Sequence, residues 1–372
     1  MPGKVSAICI VMSASTFSGS SCPFHKFLAV LGALSGPLLT MALSSRGPLS
    51  SNRKGADGGV SGGPTLPSFL IDNEITAEIP ADLKSTITSI LEIASKTRDV
   101  LQDTVEGGTK ACTENASGDT QLNLDLQTDS IAFTTFQLNP TIHSCISEET
   151  PVHTPLNPTT GTTTVSFDPL DGSSIIGPNF TVGGIYTIWP STSSLLHTRG
   201  TSALASVIIM YGSRTTAFIS CVDRGCLEVT LTGTKWTVTT PKITLEHTKK
   251  IFAPGNLRCV NTNPSYSNVV QHWISQNYTL RYTGGMVPDI CHIISKGGGV
   301  FSNVSSERNK QKLRFIYEVT GMAIMVEECG GVYLDEGLGR ALEREVEDVD
   351  MRVGGVCGSK GEVDIFKKIF LA

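Results

Sequence analysis

The sequence predicts a layered α/β or α+β enzyme, and three observations carry that expectation. Helical periodicity comes first, a series of short β-rich runs follows from Thr164 to Gly233, and mixed helical and extended segments fill the remainder. A length of 372 residues fits two or three domains of about 150, or one large layered unit. With 40% hydrophobic and 17% charged residues, the chain can bury a sizeable core, which excludes wholesale disorder. The 37 glycines have no three-residue period, which excludes collagen. No uninterrupted apolar stretch reaches the ~18 residues of a membrane-spanning helix. A net charge of −5 without a Lys/Arg run argues against nucleic acid as partner.

The elements are justified in order. After Pro80, Leu83, Ile87, Ile90, Leu91, Ala94 and Leu101 fall at helical spacing, with Asp82 or Ser85 as caps. "LQTDSIAFTTFQL" reads as a second helix. "TVSFDPL", "VGGIYTIW", "ALASVIIMYG", "TTAFISC" and "CLEVTLTG" read as strands. "PSYSNVVQHWISQN" and "QKLRFIYEVTGMAIMVEECGG" read as helices, the latter stopping at Gly330 and Gly331. Three regions are expected: an N-terminal extension over 1–70, then halves at 71–249 and 250–372.

The extension is set apart by charge. Residues 1–56 hold no Asp or Glu, five basic residues and 11 serines, so 57–372 carry a net charge of −10. A basic, Ser-rich, acid-free segment reads as an organelle transit peptide, or else as a low-complexity tail. Ten cysteines without a CxxC are too sparse for a disulfide scaffold or a zinc site. Cys221 and Cys226 flank an expected four-residue hairpin turn, 222–225, which would bring the two sulfurs near one another. One of four Asn-x-Ser/Thr sequons falls inside the expected active-site segment, which disfavours final residence in the secretory pathway.

The chemistry concentrates in "SFDPLDGSS", residues 166–174. Asp168 and Asp171 repel one another and would each titrate high unless a cation lies between them. A hard ion such as Mg²⁺ takes carboxylate and carbonyl oxygens and shares substrate phosphate. Gly172, Ser173 and Ser174 offer amides and hydroxyls to an anion. Read alone, the stretch serves equally as a turn with capping serines. Further acids add to it: Glu148 and Glu149 in "SEE", Asp119 and Asp125 in "GDTQLNLD", and Glu318 inside an apolar run, where an ionised carboxylate needs a cation or donor.

These motifs, with "NFTVGGIYTIWP", "YGSRTT", "FAPGNLR", "YTLRYTGGMVPD" and "KLRFIYEVTGMA", resemble the class 1 fructose-1,6-bisphosphatase family of Mg²⁺-dependent, lithium-sensitive sugar phosphatases. The likeness runs from about residue 100 to the C-terminus and is strongest to the sedoheptulose-1,7-bisphosphatase branch. It implies a layered α/β/α/β/α sandwich of the sugar phosphatase type, in two related halves. It implies Mg²⁺ held by Glu148, Asp168, Asp171, Glu318 and the Leu170 carbonyl, with Asp119 close by. Asp125 and Glu149 would position and deprotonate the attacking water. Gly172, Ser173 and Ser174 would hold the phosphate cleaved. Asn256, Tyr282, Lys312 and Arg314 would hold the sugar and its distal phosphate. The implied reaction releases the 1-phosphate of sedoheptulose 1,7-bisphosphate, in a homo-oligomer (dimer or tetramer) located in the plastid or, alternatively, the cytoplasm.

The chain also departs from the pattern. Gly177 follows Ile175 and Ile176 where the family carries Asp. "EGGTKAC" keeps Cys112 but has Glu106 where plant-type enzymes have the first cysteine of a redox pair. The alternatives are fructose 1,6-bisphosphate as substrate, an inositol-phosphate or nucleotide phosphatase, and a catalytically weakened regulatory homologue, the last motivated by Gly177.

Overall fold

Strands that are apolar on both faces must be covered on both, and this requirement sets the number of layers. The computed structural model describes residues 79–103, 110–114 and 120–372, with side chains for 79–103 and 123–372. The transit-peptide segment, Glu106, Asp119 and the Cys112 side chain lie outside the described residues.

Helix α1 (Ala81–Asp103) precedes a β1–β2 hairpin (Lys110–Glu114, Thr120–Leu122) and α2 (Asn123–Gln137). The strands of the main sheet are β3 (Ile142–Ser147), β4 (Thr154–Pro155), β5 (Thr163–Asp171), β6 (Val182–Pro190), β7 (Ala205–Tyr211), β8 (Thr215–Cys221), β9 (Gly225–Thr232) and β10 (Lys235–Thr240). They lie in the order β10-β9-β8-β7-β6-β5-β3-β4. Only β3 and β5 run parallel there. The second sheet comprises β11 (Ile251–Gly255), β12 (Thr279–Leu280), β13 (Val300–Asn303), β14 (Val332–Asp335) and β15 (Gly355–Gly358), ordered β12-β11-β13-β15-β14. Helices α3 (Pro264–Ser275), α4 (Met286–Ser295), α5 (Thr320–Glu328) and α6 (Lys360–Phe370) complete the fold.

Three apolar clusters define the layers. On one face of the main sheet, Phe167, Tyr186, Val207, Ile209 and Ile219 meet Ile87, Ile90 and Leu91 of α1 and Phe136 of α2. On the other, Ile185, Ile208 and Phe218 meet Val287 and Ile290 of α4 and Met322 and Met325 of α5. The period of two along each strand divides these residues between the faces. The same middle helices pack on Phe301, Tyr333 and Cys357 of the second sheet, whose far face is covered by Trp273 of α3 and Phe366 of α6. The result is the α/β/α/β/α sandwich. Helix α3 begins where Asn263 accepts a hydrogen bond from the Tyr266 N–H and Pro264 takes the first helical position.

One expectation needs correction. β8 and β9 form the hairpin, but Ser220 stands opposite Cys226 and Cys221 opposite Gly225, so the loop is only three residues long. The one-residue offset sends the thiols to opposite faces of the sheet. Cys221 packs toward α1 and α2, Cys226 toward α4 and α5. The two sulfurs therefore lie on opposite sides of the sheet.

Helix α5 lies close to the main sheet at Gly321. A Cβ there would stand 2.8 Å from Ile185 Cγ2 and 2.9 Å from Thr187 Oγ1. Gly321→Val should lower stability by about 1–3 kcal/mol through overpacking. The midpoint of urea unfolding measures this, and an unchanged midpoint would show that α5 can retreat.

Candidate active site

Two parallel neighbours and a helix start build the site. β3 and β5 align Ser147 with Phe167, and the Glu148 N–H donates to the Phe167 carbonyl at 3.0 Å. "SEE" and "FDPLD" therefore end side by side, although separated in sequence. Beyond Asp168 the pairing of β5 with β6 is irregular, and the extra residue lets Asp168 and Asp171 both be buried beside one cavity. Gly172 follows at φ +82°, a left-handed conformation that suits glycine, and a short 3₁₀ turn carries Ser173 and Ser174.

Glu318 arrives from the opposite side. Residues Phe315–Val319 form a π-helical turn ahead of α5. Such turns widen the helix locally and recur at functional sites. Ser166 fastens this turn to the sheet: its hydroxyl donates to the Ile316 carbonyl at 2.6 Å and accepts from Trp189 Nε1 at 2.9 Å. One oxygen each of Glu148, Asp168 and Glu318 lie within 4.8 Å of one another.

Burial and crowding dominate the electrostatics. Burial, then the Asp171 and Glu318 charges, hold Asp168 well above the usual carboxylate range, against the lowering effect of the Leu170 N–H. Glu318 is pushed up to about 8, first by burial and then by Asp171, although the Arg314 N–H and the Arg314 and Arg352 charges pull it down. Asp171 is raised to about 6, chiefly by burial. Its Oδ2 accepts the Val287 N–H at 2.7 Å, so it caps the start of α4 beside the carboxylate trio. The buried Arg314 guanidinium ion-pairs with Glu148, and its Nε donates to Asp350 at 2.8 Å. Glu148 Oε2 is buried without a hydrogen-bond partner. An all-oxygen donor set, raised carboxylates and an orphaned oxygen fit a hard divalent cation.

A cavity of about 310 Å³ gathers twelve of the expected site residues: Asp125, Glu148, Glu149, Asp168, Leu170, Asp171, Gly172, Ser173, Ser174, Lys312, Arg314 and Glu318. Gly284 and Leu313 complete its wall. Asn256 and Tyr282 are not among the lining residues. The Asn256 amide donates to the carbonyls of Val304 (2.9 Å) and Asn309 (3.1 Å), and Tyr282 is exposed over 46% of its surface. Two buried acids near the site went unread in the sequence. Asp289 accepts from the Thr283 N–H at 2.6 Å and the Gly284 N–H at 3.2 Å, and Asp129 lies one helical turn after Asp125. The four-residue spacing of Asp125 and Asp129 was the available signal for the second.

Five alternating layers around an acid-lined cavity define the layered phosphatase class. Two family profiles match: Fructose-1-6-bisphosphatase, N-terminal domain, over residues 64–241, and Fructose-1-6-bisphosphatase, C-terminal domain, over 245–370. The chain belongs to the fructose-1,6-bisphosphatase family. It is 38% identical over 273 residues to the chloroplastic sedoheptulose-1,7-bisphosphatase of Triticum aestivum, covering 70% of this chain and 66% of that protein. Against the chloroplastic enzyme of the same name from Chlamydomonas reinhardtii, identity is 35% over 309 residues, 82% of this chain and 77% of the relative. The crystal structure of Leishmania major fructose-1,6-bisphosphatase in holo form matches with a TM-score of 0.75 at 25% identity, over 83% of this chain and 100% of that one. Among the described residues, no helix is long and apolar enough to cross a membrane.

The raised Glu318 gives a signed pH dependence. Folding without metal takes up a proton between the ordinary value of 4.5 and about 8, so stability falls as pH rises through that window. Melting in chelator from pH 4.5 to 8 should show this decline, and Glu318→Gln should flatten it. Equal slopes in both proteins would contradict the assignment.

Proposed function

We propose that this chain is a phosphoric monoester hydrolase that releases the 1-phosphate of sedoheptulose 1,7-bisphosphate with Mg²⁺, fructose 1,6-bisphosphate being the second substrate. The observation that carries the reading is the convergence of Glu148, Asp168 and Glu318 in one cavity with the Gly172, Ser173, Ser174 turn. Those three acids would hold Mg²⁺, with Asp171 and the Leu170 carbonyl beside them. Bound there, the ion supplies Lewis-acid polarisation of the phosphoryl group and acidifies water.

The chain's own groups do the rest. Glu149 and Asp125 line the same cavity and act on the attacking water, one accepting its proton while the other orients it. Amides and hydroxyls from Gly172 to Ser174 hold the phosphate that leaves. Lys312 brings a point charge suited to the distal phosphate. Arg314, engaged by Glu148 and Asp350, offsets the charge of the acid cluster more directly than it serves the sugar. Asn256 and Tyr282 stand as candidates for the far end of the chain of carbons, since Tyr282 precedes the cavity wall at Gly284 by two residues. On this reading 71–249 carries most of the metal site, and 250–372 adds Glu318 to it and carries much of the sugar site. The acid-free N-terminal segment and the chloroplastic relatives support a plastid address. The family likeness supports a homo-oligomer.

Phosphate release from both bisphosphates, with Mg²⁺ and then with chelator, tests this reading. Turnover should require the metal and favour the seven-carbon substrate; no release from either would refute it. Glu149→Gln should lower kcat by about 10²–10⁴-fold, the contribution of a positioned base, with KM little changed. A kcat near wild type would remove Glu149 from that role.

A further inference from the structure

The loop that carries Glu148 and Glu149 is clasped from beneath by a carboxylate that does not line the cavity. Asp129 is buried on α2, one turn beyond Asp125. Thr150 Oγ1 donates to Asp129 Oδ2 at 2.9 Å. Burial raises the Asp129 carboxyl, and the Ser147 and Thr150 hydroxyls stabilise its charged form. The same Ser147 hydroxyl accepts the Glu149 N–H at 3.1 Å, and the Ser147 N–H donates to the Thr150 carbonyl at 3.3 Å. Thr150, which donates to Asp129, and Ser147, which is tied to Thr150, therefore bracket the two glutamates, and the loop closes on itself between them.

We infer that Asp129 is a positioning residue, which sets the angle at which Glu148 and Glu149 enter the cavity by holding Thr150 and, through it, the turn that Thr150 closes with Ser147. The inference rests on the metal and water roles proposed for those glutamates. Helix α2 thereby contributes twice: Asp125 reaches the cavity and Asp129 aims the neighbouring loop. Outer partners of metal-binding carboxylates act through orientation, and their loss typically costs about 10- to 100-fold in metal affinity or rate.

The test uses the full chain and three variants: Asp129→Asn, Thr150→Val and Thr150→Ser. Mg²⁺ binding is followed by calorimetry, alongside kcat, KM and melting temperature. Asp129→Asn and Thr150→Val should weaken Mg²⁺ binding and lower kcat about 10- to 100-fold, with KM for the sugar bisphosphate within twofold. Thr150→Ser keeps the donor and should behave as wild type. Should Asp129→Asn fail to fold, the Thr150 pair decides alone. Unchanged Mg²⁺ binding in Asp129→Asn or Thr150→Val, or equal impairment in Thr150→Ser and Thr150→Val, would overturn the inference. If the wild type cleaves neither bisphosphate, the functional reading fails separately, and calorimetry still reports on the loop.

Discussion

Three carboxylates held within a few ångströms in a buried place repel one another, and the surroundings of the cavity are arranged to tolerate that. Arg314 reaches in from the segment before α5 and pairs with Glu148. Backbone N–H groups supply the remainder: Leu170 to Asp168, Arg314 to Glu318, and the start of α4 to Asp171. Each of these donors belongs to an element whose position is fixed by apolar packing elsewhere. The core thus does more than stabilise the chain. It holds like charges where dilute solution would separate them.

Topology explains why residues distant in sequence meet. Parallel pairing of β3 with β5 sets two acidic strand ends side by side, and α2 returns Asp125 to the same edge. The π turn before α5 adds a fourth direction of approach, secured by Ser166 and Trp189. These supports are buried and uncharged, so they hold the acids without adding to their repulsion.

Much of this was legible in the sequence, for reasons that differ by element. The helix at Ala81–Asp103 has a stripe at helical spacing, and β5 to β9 are runs of branched and aromatic residues bounded by turn formers. Helix α4 was hidden because "MVPDICHIIS" is buried on nearly every side and so lacks a polar face, and Pro288 in its first turn discourages a helical reading. The short β10 and β12 carry too few apolar positions to register. At the site, most of the cavity was readable from motif acids and the glycine-serine turn. That Asn256 stands off the cavity wall was not, because its amide is engaged by Val304 and Asn309, partners that only the fold brings near. Asp129 escaped because a residue that acts through other side chains leaves little compositional trace.

The middle layer has one further consequence. Helices α4 and α5 face both sheets at once, so neither sheet can complete its own interior without them. A polypeptide severed between Thr240 and Ile251 would leave the first fragment with a bare apolar sheet and the second with helices greasy on their outer side. The two stretches on either side of that short connector are thus companions in packing, each supplying apolar cover that the other lacks.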